Sequence, residues 1–336
     1  MNLYLNYLFT LHHICDSEPM EEPHPIPADR WMVIVNPNAG VKKGAKEWPK
    51  ILEIIKREGI DHQFELTKHK DHAIHLTRKA IEEGYRAIAV VGGDGTMNEV
   101  LNGIFLQQSS PVSEITMGMI PVGTGNDWCR MFNVPFDFEG AVQLLKKRQT
   151  FVQDIGKVTH HKKEETLERY FMNVAGMGYD ALVAKKTNLF KEKGRGGPLT
   201  YLWFIFASLF QYSFLDAVIE VDGESVFKGE IFSMNVGICK YNGGGMMQLP
   251  YAVADDGLMD VTIIKKAPKW MVIRYTPKLY DGTLVDLPIV KTFQGKTIRV
   301  RSTQKVYLET DGESLGHTPL TFEILPRVLR VVVGKG

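Results

Sequence analysis

The residues with the clearest potential for chemistry lie in the stretch VVGGDGTMNEVLNGI, residues 90–104. A β-branched run, Ala87 to Val91, leads into the glycine-rich turn 92–96, and a helix is predicted from Met97. Glycines let the backbone approach a ligand closely, and the N–H groups that open a helix bind phosphate. Because Asp94 would repel a bare phosphate, it predicts a metal ion between them. The alternative is an ordinary strand, turn and helix in which Asp94 is a capping residue.

Two further glycine loops resemble the first in layout. In ITMGMIPVGTGND, the loop 123–125 follows a strand, and either Asn126 or Asp127 is expected to cap the next helix. In WMVIVNPNAG, a strand at 31–35 meets the loop 36–40. Loops at the carboxyl ends of parallel strands gather along one sheet edge, where ligands bind. Three such loops predict a nucleotide site, although the chain has neither a Walker A sequence nor a dinucleotide fingerprint.

Taken together, VNPNAG, GGDGTMNEVLNG, PVGTGND and a late YLETDGE resemble the diacylglycerol kinase catalytic-domain family. That family includes bacterial lipid kinases, sphingosine kinases and ceramide kinases. The resemblance runs from about residue 31 to the C-terminus. NAD kinases and 6-phosphofructokinases carry turns similar to GGDGT, so the later GTGND and DGE sequences are what separate this family from them.

The resemblance implies an ATP- and Mg²⁺-dependent reaction. ATP would lie along the first domain with its phosphates held by the glycine loops, and Mg²⁺ would bridge the phosphates with Asp94 directed toward it. Glu99 would orient the loop, but an acid in a first helical turn also favours the helix dipole without any ligand. The residues expected to contact ATP are Asn36, Pro37, Asn38, Ala39, Gly40, Thr67, Gly93, Asp94, Gly95, Thr96, Met97, Asn98, Glu99 and Thr124.

A second acidic sequence, Glu309-Thr310-Asp311-Gly312-Glu313, is the candidate for acid–base chemistry. Asp-Gly is also a strong hairpin signal, so a simple turn is the alternative. In the family, the glutamate of this DGE accepts the proton of the lipid hydroxyl, which implies that role for Glu313. Asp311 would then help to order the catalytic metal or its waters.

The turn at 254–260, ADDGLMD, is a candidate for a structural Mg²⁺ site. By resemblance, its ligands are Asp256 and the backbone carbonyls of Val253 and Leu258. Hard oxygen donors of this kind suit Mg²⁺. The alternative is a surface β-turn, where Asp and Gly are common.

The order of predicted elements indicates two domains. From residue 31 to 150, strands alternate with helices at 45–58, at 71–83 and from 97, which predicts an α/β nucleotide-binding domain with a mostly parallel sheet. From 151 to 325, strand-like stretches such as ERYFMNVAG (168–176) follow one another, which predicts an antiparallel β-sandwich-like domain for the lipid substrate. The resemblance implies that residues 326–336 complete the first domain.

Composition agrees with an enzyme that works in a reducing compartment. The 336 residues include 40 Lys and Arg against 39 Asp and Glu, so no global basic field attracts nucleic acid. Three widely separated cysteines favour neither a disulfide framework nor a zinc site, and they predict a cytoplasmic protein. Residues 1–30 are interpreted as a disordered leader or linker rather than a short interfacial anchor.

The stretch 185–214 combines lysines with aromatic residues and predicts peripheral contact with the inner face of the membrane. Its alternative is a buried helix behind a flexible loop. Asp180 falls where family members carry an acidic residue near the substrate, although it could equally be a capping residue. The glycine cluster at 242–250 is either a rim of the cleft or an irregular loop. Exposed edge strands make a homodimer possible.

The activity implied is transfer of the γ-phosphoryl group of ATP to a lipid hydroxyl, with diacylglycerol converted to phosphatidic acid. A sphingoid base, ceramide or polyprenol presents the same hydroxyl and is an alternative substrate. A soluble substrate such as NAD, or a non-catalytic sensor of nucleotide or lipid, remains the competing hypothesis.

Overall fold

The first half of the chain alternates strands with helices around a parallel sheet. The structure is a computed structural model that describes residues 26–27, 29–192, 207–209 and 212–335, so most of the leader lies outside the described residues. The elements of the first half are β1 (Trp31–Val35), α1 (Ala39–Arg57), β2 (His62–Leu66), α2 (His72–Glu82), β3 (Ala87–Gly92), α3 (Asp94–Leu106), a 3-10 turn (Val112–Glu114), β4 (Thr116–Pro121), α4 (Asp127–Met131) and α5 (Phe138–Lys147).

The parallel sheet has the order β2-β1-β3-β4 and is covered by helices on both faces. Strands β1 and β3 are buried along their whole length because each face contacts a separate apolar cluster. Val90 packs with Leu101 of α3 on one face, and Val91 packs with Ile54 of α1 on the other. Such strands read as continuous apolar runs, as the sequence does here. The predicted α/β fold is confirmed.

The second half is dominated by antiparallel strands. Its elements are β5 (Thr150–Lys162), β6 (Glu165–Phe171), β7 (Val174–Gly178), α6 (Tyr179–Glu192), β8 (Leu215–Val221), β9 (Glu224–Gly237), β10 (Tyr241–Asn242), β11 (Met246–Met247), β12 (Met259–Lys265), α7 (Lys269–Tyr275), α8 (Lys278–Asp281), a 3-10 turn (Thr283–Asp286), β13 (Val290–Gly295), β14 (Thr297–Arg301), β15 (Tyr307–Thr310) and β16 (Glu313–Val332).

Among the described residues, six of these strands close on themselves in the order β7-β9-β8-β14-β16-β15, with every pair antiparallel. Strands β12 and β13 extend from β9, while β5 and β6 extend from β16. The predicted antiparallel β domain is therefore confirmed, with its strands closed into a ring. No helix in the described part of the chain is long and apolar enough to cross a membrane.

Strand β16 connects the two halves physically. Its first part belongs to the ring, whereas Arg330 and Val331 near its end pair in parallel with Thr116 and Met117 of β4. The C-terminal residues thus lie beside the sheet of the first half, while the assignment of 326–336 to the first domain stays a prediction. The boundaries at 150 and 326 stay a prediction, since β5 and β16 run past both of them side by side.

Two local predictions were wrong at their edges. Helix α3 begins at Asp94 rather than Met97, since Gly93 is extended and precedes the first turn. Asp94, Gly95 and Thr96 therefore belong to the helix rather than to a loop before it. The single predicted strand ERYFMNVAG is divided into β6 and β7, with Met172 and Asn173 between them.

The β domain depends on close packing around Phe171, which is fully buried at the end of β6. Its ring lies 6.1 Å from that of Phe322 and covers Gly156, where a Cβ atom would lie 2.2 Å from the ring. We expect Phe171→Ala to lower the free energy of unfolding by about 3–5 kcal/mol, because the cavity cannot be filled by this glycine.

Urea unfolding followed by circular dichroism measures this loss. Leu167→Ala is the matched control, since Leu167 lies on the same strand and is 36% exposed. The control should change stability by no more than about 0.5 kcal/mol. Equal effects of the two substitutions would contradict the packing described here.

Candidate active site

A cleft of about 620 Å³ lies between the carboxyl-terminal edge of the parallel sheet and the β domain. The loops that follow β1, β3 and β4 form one wall, and α6, the β10–β11 hairpin and the turn between β15 and β16 form the other. The predicted site residues that line this cleft are Asn36, Asn38, Ala39, Gly40, Gly93, Asp94, Gly95, Thr96, Glu99, Thr124, Asp311 and Glu313.

Four of the residues predicted to contact ATP do not line the cleft. Thr67 and Met97 are buried behind its wall, and Pro37 lies beside it. Asn98 is fully buried, and its side chain contacts the β domain. The structure places these residues next to the cleft wall rather than on its surface. Their predicted contact with ATP stays a prediction.

The glycine loops after β3 and β4 touch each other through their backbones. The amide of Gly123 donates to the carbonyl of Gly92 at 3.0 Å. A Cβ atom on Gly123 would lie 2.6 Å from the Cα of Gly93, which no side chain tolerates. The loop after β1 joins them, since the Asn36 Nδ2 donates to Thr96 Oγ1 at 2.8 Å. The three predicted loops therefore form one continuous wall.

Asp94 links the first of these loops to α4. Its carboxylate oxygens accept hydrogen bonds from the amides of Asp127 and Trp128, each at 3.3 Å. The capping predicted for Asn126 or Asp127 is wrong, because neither side chain bonds to the start of its own helix. Asn126 is in the left-handed region, and its Nδ2 donates to the Gly123 carbonyl at 3.0 Å.

Asp127 instead holds the glycine cluster of the β domain. Its two oxygens accept from the amides of Gly244 and Gly245 at 2.7 and 2.6 Å. This contact shows that the cluster at 242–250 is part of the cleft rim, between β10 and β11. Sequence reasoning treated Asp127 only as a cap. The available signal was an acid directly after a second glycine loop, at the same sheet edge as Asp94.

The carboxylates of Asp94 and Asp127 face the same small space. A Cβ atom on Gly125 would lie 3.2 Å from an Asp94 oxygen and 3.4 Å from an Asp127 oxygen. Burial raises the pKa of Asp94, and the charge of Asp127 raises it further, to about 7. A cation beside these oxygens would relieve that repulsion, and two carboxylates at a polar cleft wall are suitable donors for Mg²⁺.

Asp311 is the contact point between the two walls. Its carboxylate accepts from the Asn98 Nδ2 of α3 at 2.8 Å. It also accepts from the amides of Met172, Asn173 and Val174, at 3.1, 3.0 and 3.2 Å. Burial raises its pKa to about 6, although these donors oppose the rise. These contacts anchor the DGE turn, while the predicted ordering of a metal by Asp311 stays a prediction.

Glu313 lies against the start of α3. A Cβ atom on Gly95 would lie 2.7 Å from its Oε1, so only glycine leaves room for this carboxylate. Its Oε2 is 2.8 Å from the Nζ of Lys70, which comes from the loop before α2. Burial lowers the pKa of Lys70, but the Glu313 carboxylate more than offsets this, so the pKa is raised.

The Glu99 carboxylate binds the start of α2 rather than its own loop or the start of its own helix, α3. Its oxygens accept from the amides of Asp71 and Ala73 at 3.0 and 3.1 Å, at the start of α2. Neither its own loop nor its own helix dipole is the main partner. Through this contact, Glu99 fixes the segment that carries Lys70 beside Glu313.

The β-domain wall contains two further buried acids. Asp180 accepts from Ser233 Oγ at 2.6 Å and from Asn235 Nδ2 at 3.0 Å. Glu309, which sequence reasoning did not single out, accepts from Asn242 Nδ2 at 3.0 Å and from the Gly312 amide at 2.9 Å. Asp180 thus lines the cleft while its carboxylate is hydrogen-bonded to side chains of β9. Much of the stretch 185–214 lies outside the described residues.

The second predicted metal site lies away from the cleft. Asp256 is exposed, and its Oδ1 accepts from the Leu258 amide at 2.9 Å. The neighbouring Gly257 amide donates to the buried Asp154 at 2.7 Å. Among the described residues, no group of three or more His, Cys, Asp or Glu side chains could hold a metal. The single carboxylate leaves one oxygen for a cation, and the site at Val253, Asp256 and Leu258 stays a prediction.

Known proteins resemble the chain along most of its length. The diacylglycerol kinase catalytic domain family matches residues 30–158, and the YegS C-terminal NAD kinase beta sandwich-like domain matches residues 173–333. A diacylglycerol kinase of Staphylococcus haemolyticus (strain JCSC1435) is 31% identical over 303 residues, which cover 90% of this chain and 88% of that protein. One from Staphylococcus carnosus (strain TM300) is 30% identical over 306 residues, covering 91% and 95%.

Solved structures share the fold. A crystal structure of a diacylglycerol kinase from Bacillus anthracis str. Sterne matches with a TM-score of 0.68 at 22% identity, covering 91% of this chain and 97% of that one. Yeast NADH kinase complexed with NADH matches with a TM-score of 0.51 at 11% identity, covering 92% and 85%. At these identities the structures show a common fold and nothing further.

The buried acid Glu309 generates a prediction about pH. Burial raises its pKa to about 8. The folded state therefore keeps a proton that the unfolded chain releases near its ordinary pKa. This contribution to stability is present at low pH and is lost as pH rises through about 8. When the pH rises from about 5 to about 9, the free energy of unfolding of Glu309→Gln should fall by at least about 1 kcal/mol less than that of the wild type. One pKa unit corresponds to about 1.4 kcal/mol.

Urea unfolding at the two pH values measures the difference. Glu224→Gln, at an exposed glutamate that begins β9, is the control and should follow the wild type. A Glu309→Gln protein with the wild-type pH dependence would show that Glu309 is ionised in the folded protein.

Proposed function

The chain belongs to the diacylglycerol kinase catalytic-domain family, and on this premise we propose that it is an ATP- and Mg²⁺-dependent lipid kinase whose substrate is diacylglycerol. The observation that carries the proposal is the position of Glu313. Its carboxylate lies at the cleft between the domains, in contact with the first turn of α3, where the glycine loop ends. A base at this place faces the site of phosphate binding.

The catalytic domain of this family implies the use of ATP. The joined glycine loops supply the site, because the start of α3 lies at the cleft wall and the N–H groups that open a helix bind phosphate. Asn36 holds Thr96 in place, and Gly93 and Gly123 fix the two loops against each other. These protein contacts hold the glycine loops in place at the cleft wall.

Mg²⁺ fits the pair Asp94 and Asp127, whose oxygens face a common space at the cleft wall. When bound, it would neutralise the charge on the phosphoryl groups. The chain fixes both acids independently of the ion. Asp94 is held by the start of α4, and Asp127 is held by the glycine cluster of the β domain.

Glu313 is proposed to accept the proton of the attacking hydroxyl on its carboxylate. Lys70 forms an ion pair with that carboxylate at 2.8 Å and so orients it. Asp311, two residues away, fixes the backbone of the turn on which Glu313 lies. Phosphoryl transfer depends on position and charge more than on covalent chemistry, so these groups suffice.

Diacylglycerol is proposed because the Staphylococcus relatives at 31% and 30% identity are named diacylglycerol kinase. The substrate hydroxyl would enter from the cytoplasmic leaflet of a membrane, between the glycine loops and the wall that carries Asp180. We further propose a cytoplasmic protein in peripheral contact with that membrane. A homodimer and the absence of nucleic-acid binding stay predictions.

The test is transfer of labelled γ-phosphate from ATP to lipids dispersed in mixed micelles, with and without Mg²⁺. We expect labelled phosphatidic acid from diacylglycerol. We expect Glu313→Gln to lower kcat by at least about 100-fold, since a general base contributes at least that factor. Its affinity for ATP should remain within about threefold, because the glycine loops are unchanged.

Glu323→Gln is the matched control, since Glu323 lies on the same strand, is half exposed and pairs with Lys157 away from the cleft. It should keep wild-type kcat. If a sphingoid base, ceramide or a polyprenol is labelled instead, the mechanism stands and diacylglycerol is the wrong substrate. If NAD alone is labelled, the proposed lipid kinase is excluded. If Glu313→Gln retains full activity on a lipid, Glu313 is not the base.

A further inference from the structure

Helix α7 is unusually exposed for its composition. Its sequence is KWMVIRY, and none of its residues is buried. Trp270 is 61% exposed and Ile273 is 42% exposed. The two are separated by one helical turn, so they lie on the same face, together with Arg274. A protein surface rarely leaves a tryptophan and an isoleucine side by side in water without a partner.

The segment that contains this helix is strongly basic. Residues 265–280 carry Lys265, Lys266, Lys269, Arg274 and Lys278 and no acidic residue, although the whole chain has a net charge of only +1. Lys266 forms an ion pair with Glu230 at 2.7 Å, and the other cations of the segment leave a net positive charge around the exposed apolar face. An anionic bilayer is complementary to this surface, because it offers an apolar interior beneath negatively charged headgroups.

The segment also lies beside the cleft. Val272, on the inward side of α7, packs against the cluster that contains Tyr179, at the start of α6. Helix α8 follows directly, and its Tyr280 lines the cleft. Gly282, at the end of α8, packs against Met247 of the glycine-cluster hairpin. The exposed face is thus fixed to the same elements that form the β-domain wall of the cleft.

We propose that residues 265–280 form a membrane-docking surface, in which Trp270 and Ile273 enter the interface of an anionic bilayer and the lysines and Arg274 contact its headgroups. The docking itself is independent of the proposed function. Only its purpose, which is to hold the cleft beside the leaflet that contains the substrate, rests on the proposed function. The surface adjoins the end of the stretch 185–214 predicted from the sequence, since Val272 packs with Leu209 and the Lys266 ammonium lies 5.2 Å from the centre of the Phe214 ring. Its partner is the lipid surface itself.

Co-sedimentation with vesicles made of equal parts phosphatidylcholine and phosphatidylglycerol tests the proposal without ATP or substrate. We expect the wild type to bind these vesicles more strongly than vesicles of phosphatidylcholine alone. The double substitution Trp270→Ala with Ile273→Ala should lower the partition coefficient by at least about tenfold, since both side chains leave the interface. Arg274→Gln should lower it by about fivefold, the contribution of one cation near such a surface.

Matched controls use exposed residues of the first domain. Leu106→Ala removes a side chain that is 49% exposed on α3, and Lys46→Gln removes an exposed cation of α1. Both should bind vesicles like the wild type. Tryptophan fluorescence of a Trp203→Phe protein provides a second readout, because Trp31, Trp48 and Trp128 are buried and Trp270 is then the remaining tryptophan. This protein should shift to shorter wavelength on binding vesicles, and adding Trp270→Phe should remove that shift.

Wild-type vesicle binding by the double variant would overturn the proposal. It would also be overturned if the double substitution converted a dimer into a monomer in analytical ultracentrifugation without changing vesicle binding, since the face would then join two copies of the chain. Activity in mixed micelles separates the two proposals. Loss of docking with full micellar activity supports both, whereas selective docking without kinase activity would leave the docking surface valid and exclude the proposed function.

Discussion

The arrangement of the active site depends on one buried carboxylate, that of Asp311. Four N–H groups converge on it, one from Asn98 of α3 and three from the break between β6 and β7. The first belongs to the wall that carries the glycine loops, and the others belong to the β domain. The turn that carries Asp311 also carries Glu313, so a contact that joins the two walls also sets the distance between the Glu313 carboxylate and the start of α3.

The remaining acids of the cleft follow a similar principle, since most of them bind backbone amides of an element other than their own. Asp94 holds α4, Glu99 holds α2, and Asp127 holds the glycine cluster. Charge is thus concentrated around the cleft by contacts that also determine its shape. Burial raises the pKa of each of these acids, which makes a bound cation favourable.

The fold and the location of the site could be predicted from the sequence because they depend on local signals. Alternating apolar strands and helices predicted the parallel sheet, and glycines after three strands predicted its functional edge. The roles of Asp127 and Glu99 could not be predicted, because their partners lie more than a hundred residues away in the first case and on another helix in the second. Nor does any spacing in the sequence bring Lys70 to Glu313.

The most direct test is the free energy of unfolding of Asp311→Asn, measured in urea at about pH 8, where this acid is ionised in the wild type. The amide replaces one acceptor oxygen with a donor that faces N–H groups. We therefore predict a loss of about 3 kcal/mol or more. Glu313→Gln, on the same turn, should remain as stable as the wild type within about 0.5 kcal/mol. Wild-type stability of Asp311→Asn would contradict the claim that this carboxylate holds the two walls of the active site together.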